Sequence, residues 1–207
     1  MPIIGAVLFV VLYVAATRMY PGGSATDKQS TGFSWTQNYW CNLLDDVAIN
    51  GQSNSAQPLA MAAMFVLCFS LGMFWWDFPG FVQPGKLLTW VIRSSGMLSL
   101  GTSLLLMTAT DHDQVTNLAS GFGLVAMLGT LIGLYQIGWR RLFLFGLLNL
   151  ALVALNNYLY YTPDLLHYLP TVQKITFLSF LLWITATVWA MFRVLPPESG
   201  RSKVQKN

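Results

Sequence analysis

Hydrophobic residues along the chain fall into six long runs, separated by polar segments of which only the first is long. The runs cover about residues 3–16, 58–76, 87–108, 115–138, 142–161 and 171–193. A helix needs roughly 20 mostly apolar residues to cross about 30 Å of hydrocarbon. The runs lack the period of two that membrane barrel strands show. Since every backbone polar group within lipid must be paired, helices are the remaining spanning structure.

The short connections between the second and sixth runs favour antiparallel neighbours. The sequence therefore predicts an all-α integral membrane protein, an antiparallel bundle of six transmembrane helices. We expect residues 1–195 to form this single domain and residues 196–207 to form a flexible polar tail. No basic segment precedes the first run and no clear cleavage site follows it, so we interpret it as a helix and not as a signal peptide.

Composition agrees with a membrane protein. Of the 207 residues, 55% are hydrophobic and only 9% are charged, against about 25% charged residues in soluble domains. A soluble enzyme and a disordered chain are therefore excluded. The net charge of +3 comes from basic residues at helix ends and in the tail, and it predicts no nucleic-acid partner. Cys41 lies outside the apolar runs and Cys68 lies within one, so we expect no disulfide.

The long polar segment, residues 18–57, is called the cap loop below. It is rich in Gly, Ser, Asn, Asp and Gln, yet it contains Phe33, Trp35, Tyr39, Trp40, Leu43 and Leu44. Long loops are usually functional or disordered, and this density of aromatic residues favours an ordered cap on the bundle. A short amphipathic helix over residues 34–47 would place Asn42, Asp45 and Asp46 on one face.

Lysine and arginine residues predict the orientation. Seven lie on the side of the two termini and three on the side of the cap loop, with Arg93 left out because it lies within a run. We therefore expect both termini in the cytoplasm and the cap loop outside. Arg93 itself is either functional or a side chain that reaches the membrane surface and pairs with Asp77.

Polar residues concentrate on the predicted outer side, which holds six of the eight acids and both histidines. Their position predicts a polar pocket that binds a lipid headgroup or a small polar ligand, or that docks a partner membrane subunit. The candidate ligand-binding residues are Asn38, Asn42, Asp46, Asn117, Asn156, Asn157 and His167. Structural alternatives remain open, because intramembrane amides often bond between helices and exposed polar faces are often only solvated.

The densest polar segment is Asp111-His112-Asp113, a set of side chains that suits zinc or another divalent metal. Such a metal would activate water, with His112 and Asp45 as catalytic residues of a metal-assisted lipid hydrolase or transferase at the outer leaflet. The structural alternative makes Asp113 the N-cap of the fourth helix. No other cofactor is indicated. A small transporter or channel is a third hypothesis, although the helix interiors offer only scattered serine and threonine.

Small residues on the third and fourth helices predict close packing between them. The third helix carries Ser95 and Ser99, and the fourth carries Gly123, Gly129 and Gly133. We expect these two helices to form the most tightly packed pair of the bundle.

The cap loop carries a distinctive series of short motifs. They are Tyr20-Pro21-Gly22-Gly23, Gly32-Phe33-Ser34-Trp35, Asn38-Tyr39-Trp40-Cys41-Asn42-Leu43-Leu44-Asp45 and Asn50-Gly51-Gln52-x-Asn54. With its six-helix layout, the chain resembles the bacterial multi-pass membrane proteins of domain of unknown function 998. It is distantly similar to eukaryotic six-span autophagy-modulator and GPI-lipid-remodelling proteins. The resemblance implies a protein of the bacterial inner membrane with membrane lipids as partners, and it implies no reaction.

A comparison with ceramidase-like membrane hydrolases points away from that family. Those enzymes hold zinc with three histidines, whereas this chain has two histidines in total. A zinc site here would need aspartate ligands such as Asp111, Asp113 or Asp45.

Overall fold

Six α-helices carry the fold in a computed structural model, which describes residues 2–105 and 112–194 and only the backbone of residues 112 and 113. The helices are α1 (Pro2–Thr17), α2 (Gln57–Val82), α3 (Lys86–Leu104), α4 (His112–Gln136), α5 (Arg140–Tyr160) and α6 (Leu169–Val194). Short 3₁₀ helices span Trp40–Leu43 in the cap loop and Pro163–Tyr168 before α6. In this part of the chain the extended pairings are two isolated bridges within the cap loop. The predicted all-helical class is confirmed.

Four segments are long and apolar enough to cross a membrane: Gln57–Val82, Gln114–Gln136, Arg140–Tyr160 and Pro163–Val194. Helix α1 is equally apolar but has only 16 residues. The helices therefore have the length and composition of a multi-pass membrane protein. That α1 and α3 also cross the membrane stays a prediction.

Helices α3 and α4 pack closely and run antiparallel. The Ser99 hydroxyl donates a hydrogen bond to the Ala119 carbonyl at 2.8 Å, while Gly129, further along α4, faces Ile92, which lies earlier on α3. A Cβ on Gly129 would lie 2.5 Å from the Ile92 side chain. The small residue thus permits the close approach that the sequence pattern predicts.

The other helix pairs follow the same antiparallel pattern. Gly5 of α1 faces Ser70 of α2, and Gly96 of α3 faces Trp75 of α2. In the last pair, the Trp183 indole of α6 donates to the Leu142 carbonyl of α5 at 2.8 Å. Helix α6 also contacts α1, so the first and last helices meet.

Helix α2 continues for six residues beyond its predicted end at residue 76 and passes through Pro79. The hydrophobic pattern breaks at Asp77, but the chain stays helical because Phe78 and Val82 are buried against the close surface of Gly133 on α4. Tertiary packing here outweighs a local break in the sequence pattern.

Two other local predictions are wrong. The expected helix over residues 34–47 is reduced to the 3₁₀ turn Trp40–Leu43, because asparagine side chains bond the backbone that a helix would pair. Helix α4 begins at His112, so Asp113 lies in its first turn and is not the N-cap.

Candidate functional site

The cap loop is held against α1 and α6 at the backbone of Trp40. The Tyr13 hydroxyl of α1 donates to the Trp40 carbonyl at 3.0 Å, and the Trp40 amide donates to the Gln173 side chain of α6 at 3.2 Å. Below this peptide, the ring of Trp40 lies 5.0 Å from Tyr13 and 5.3 Å from Phe177. The ordered loop thus rests on an aromatic cluster shared by both helices.

Lys174 makes the second connection between the cap loop and α6. Only 7% of its surface is exposed, and its ammonium donates to the carbonyls of Asn38 at 2.6 Å and Pro170 at 2.9 Å. The ammonium also lies 5.5 Å from the centre of the Phe33 ring. In the sequence, Lys174 is one of the three basic residues on the side of the cap loop, and no local motif marks it as a buried anchor.

Side-chain amides organise the interior of the cap loop. Asn38 is fully buried; its amide donates to the Gly23 carbonyl at 2.8 Å and its oxygen accepts from the Ser34 amide at 2.8 Å. The Asn42 oxygen accepts from the Tyr39 amide. The loop itself therefore engages both side-chain polar groups of Asn38 and the side-chain oxygen of Asn42, two residues predicted to bind a ligand.

Asn54 is the centre of the second half of the loop. It is 4% exposed, and its amide nitrogen lies within hydrogen-bonding distance of the carbonyls of Asn42, Leu43 and Asp45, at 3.1, 3.3 and 2.7 Å. Its oxygen accepts from the Ala56 amide at 3.1 Å. Asn54 stands in the cap-loop motif of the sequence, but its role depends on loop geometry that the sequence does not give.

Asp45 and Asp46 are exposed. The Asp46 carboxylate accepts a hydrogen bond from the Gln57 side chain at the start of α2. Since no helix forms here, the two carboxylates do not share a helix face with Asn42. They are separate surface groups on the loop.

The remaining predicted ligand-binding residues are dispersed along the fold. Asn156 donates to the Thr176 hydroxyl of α6 at 2.6 Å, which is the bond between helices that the structural alternative expects. Asn157 is exposed and donates to the Val153 carbonyl within its own helix. Asn117 is exposed on α4, and the ring of His167 lies 3.9 Å from that of Tyr168.

The predicted metal site lies outside the described side chains. Asp111 is not described, and His112 and Asp113 are described only by their backbone. The pairing of His112 with Asp45 therefore stays a prediction. Among the described residues, no group of three histidine, cysteine or acidic side chains could hold a metal ion.

Titratable groups of the cap loop show the effect of burial. Burial, reinforced by the negative charge of Asp45, raises the pKa of the Cys41 thiol to about 12. Burial likewise raises the pKa of the Tyr20 and Tyr39 hydroxyls. Cys41 and Cys68 are both free thiols, as the sequence predicts. A protonated thiol is a poor nucleophile and metal ligand.

A lateral groove lies between α2 and α3. Its volume is about 440 Å³, within the roughly 300–1,000 Å³ range of ligand sites. The wall residues are almost all apolar: Phe65, Cys68, Phe69, Gly72, Met73, Trp76, Asp77, Met97, Leu100, Gly101 and Leu104. Gly101 leaves open space where a side chain would stand.

Asp77 is the charged residue among the described walls of this groove, and its neighbour in sequence, Trp76, carries a stacked arginine. The Arg93 guanidinium of α3 lies 4.9 Å from the Trp76 ring centre, and its Nε donates to the Trp76 carbonyl at 2.9 Å. Among the described residues, Arg93 thus contacts Trp76 and forms no ion pair with Asp77, so the predicted pair is not formed. The groove therefore has long apolar walls and one polar end.

Comparisons with protein-family models, with curated proteins and with solved structures find no match for this chain.

Proposed function

We propose that the chain is an integral membrane protein that binds a phospholipid from the side, with an acyl chain in the groove between α2 and α3. The single observation that carries this proposal is the groove itself, an apolar cavity of about 440 Å³ kept open by Gly101. An apolar groove on a helix pair in lipid is filled by hydrocarbon at no cost in buried polar groups.

The polar end of the groove supports a lipid occupant. Trp76 lies six residues before the end of α2, and Arg93 lies seven residues after the start of α3 at Lys86. At 1.5 Å per residue, both are roughly 10 Å from the helix ends. Tryptophan and long basic side chains at this depth reach the headgroup region.

A pair of glycine variants tests the proposal. Gly101→Leu fills the groove, whereas Gly121→Leu adds the same side chain to α4, where a Cβ also meets open space. Native mass spectrometry would count palmitoyl-oleoyl phospholipids that stay bound after purification in mild detergent. We expect about one lipid on the wild type and on Gly121→Leu, and at least a fivefold loss on Gly101→Leu.

The proposal fails if the wild type retains no phospholipid, or if Gly101→Leu retains as much as Gly121→Leu. An unfolding temperature measured for both variants separates a filled groove from a misfolded chain. Gly101→Ala adds a smaller side chain, and we expect an intermediate loss.

We also propose that the cap loop faces the outside of a bacterial inner membrane and that both termini are cytoplasmic. The count of lysine and arginine residues supports this orientation, as does the resemblance to domain of unknown function 998. Thr26→Cys, at an exposed position of the loop, should react with a membrane-impermeant maleimide in intact cells. Labelling only after the cells are broken would reverse the orientation.

A further inference from the structure

Two groups of opposite charge belong to the polar end of the groove: Asp77, which lines it, and Arg93, which stacks on the wall residue Trp76. In the part of the chain that the structure describes, Arg93 bonds to Trp76 and not to Asp77. Asp77 is exposed and lines the groove. Arg93 donates a hydrogen bond from its Nε to the Trp76 carbonyl, and its guanidinium stacks on the Trp76 ring. A Cβ on Gly80, one turn beyond Trp76, would lie 3.8 Å from a terminal nitrogen of Arg93. The guanidinium therefore packs against α2 at a position where no side chain stands between them.

The two groups lie on the same stretch of α2. Residues three or four apart on a helix share a face, so Asp77 and Gly80 are neighbours, and the Arg93 guanidinium comes against this face from α3. The arrangement places a carboxylate and the terminal nitrogens of an arginine at one end of an apolar bed. Opposite charges left apart in this way match a ligand that carries both signs.

We infer that this end of the groove recognises the headgroup of a zwitterionic aminophospholipid, with Arg93 on the phosphate and Asp77 on the ammonium. The inference deepens the proposed function and rests on it. Arginine suits a phosphate because its planar donors match the phosphate oxygens.

Charge selects this lipid class over an anionic one. An anionic headgroup without an amine would satisfy Arg93 but would leave Asp77 unpaired beside a second negative charge. Lys86 lies at the start of α3 and its charge favours any phosphate, so it does not distinguish the two lipids. Asp77 is therefore the residue that distinguishes them.

The experiment measures lipid preference in equimolar mixtures. The protein would be equilibrated with palmitoyl-oleoyl phosphatidylethanolamine and palmitoyl-oleoyl phosphatidylglycerol, which have the same acyl chains, and the bound lipids counted by native mass spectrometry. We expect the wild type to prefer phosphatidylethanolamine about three- to fivefold, the size of an exposed ion pair. Asp77→Asn should bind as much lipid in total but lose the preference.

Arg93→Gln should lose both lipids several-fold, because both carry a phosphate, and Arg93→Lys should recover part of the binding. Arg193→Gln is the matched control, since Arg193 also stacks on a tryptophan, Trp189, at 5.2 Å but lies outside the groove. Asp164→Asn, at an exposed acid of the 3₁₀ helix before α6, controls for loss of a negative charge.

Each outcome has one meaning. Loss of all lipid in the wild type contradicts the proposed function. Equal retention of the two lipids by a wild type that is still sensitive to Gly101→Leu contradicts the headgroup inference alone. A preference that survives Asp77→Asn, or that Asp164→Asn abolishes equally, overturns the role of Asp77.

Discussion

The cap loop and the groove between α2 and α3 use polar side chains in opposite ways. In the cap loop, Asn38 and Asn54 are buried and bonded to backbone groups of the loop, and Lys174 donates to two carbonyls. At the groove, Asp77 is exposed and Arg93 uses one nitrogen on the protein. The polar side chains of the cap loop stabilise the loop itself, whereas those at the groove are available to a ligand.

The density of polar residues along a chain therefore does not locate a binding site. A loop of 40 residues with little regular structure has many backbone groups that need hydrogen-bond partners, and side-chain amides supply them. Few polar residues beside an apolar cavity are more informative, because helices pair most of their own backbone groups and need no side-chain amides for that purpose.

We expect removal of the Lys174 ammonium to destabilise the protein more than any of the changes described below. Lys174→Met keeps the length of the side chain but removes the two hydrogen bonds of the ammonium to the Asn38 and Pro170 carbonyls. We expect a loss of about 4 kcal/mol in the free energy of unfolding, at about 1.5–3 kcal/mol per hydrogen bond that involves a charged group. Unfolding in mixed micelles would measure it.

Lys28→Met is the control, since Lys28 is exposed in the same loop and should change stability little. Limited proteolysis adds a second readout, because the Lys174 variant should be cut within the cap loop while the helices stay intact. Equal stability of the two variants would mean that the loop does not depend on Lys174.

The next largest effect should come from Asn54→Ala. It removes the donor shared by three carbonyls, and we expect a loss of about 3 kcal/mol. Asn50→Ala is the matched variant, because the Asn50 oxygen accepts a single bond from the Gln52 amide in an exposed turn. Chemical unfolding of both should show the Asn50 change to be at least threefold smaller; equal losses would contradict the role of Asn54.

A smaller effect is expected away from both regions, at the contact of α3 with α4. Gly129→Ala places a methyl group 2.5 Å from Ile92, and overpacking of this kind costs about 2 kcal/mol. Gly121→Ala meets open space and should be neutral or slightly stabilising, because alanine favours helix. Thermal unfolding of the pair would check this order, and a Gly121 variant as unstable as the Gly129 variant would refute it.

The smallest effect concerns Cys41 and pH. The folded thiol stays protonated up to about pH 12, whereas its ordinary pKa is 9.0. The unfolded chain therefore loses this proton first, and stability falls as pH rises above about 9. Relative to Cys41→Ala, the wild type should lose about 1 kcal/mol between pH 8 and pH 10. Parallel pH profiles of the two proteins would argue against a buried thiol.

Sequence patterns predicted the helices well because apolar runs of this length have few other structures in lipid. The order and approximate bounds of all six are recovered, and the close contact of α3 with α4 follows from small residues such as Gly129. The extension of α2 past Asp77 was missed because it depends on burial of Phe78 against α4.

The contacts of the candidate site residues do not follow from the sequence, for a physical reason. Asn38 and Asn42 have the chemistry of ligand-binding residues, but nearby backbone groups occupy them. Lys174 meets Asn38 across 136 residues of sequence, a contact that no local motif signals. The groove lies where Gly101 of α3 faces α2, and a single glycine in a helical sequence does not by itself predict a groove.

The bond between Asn38 and Lys174 also constrains how the protein is made. Chains are synthesised from the N-terminus at about 5–20 residues per second, so the 136 residues between the two partners take on the order of 10 s. Throughout that interval the cap loop has left the ribosome without the lysine that fastens it. The cap loop is thus among the first parts of the molecule to be synthesised and among the last to reach its final contacts. A nascent chain that ends before α6 would lack the contact between Asn38 and Lys174.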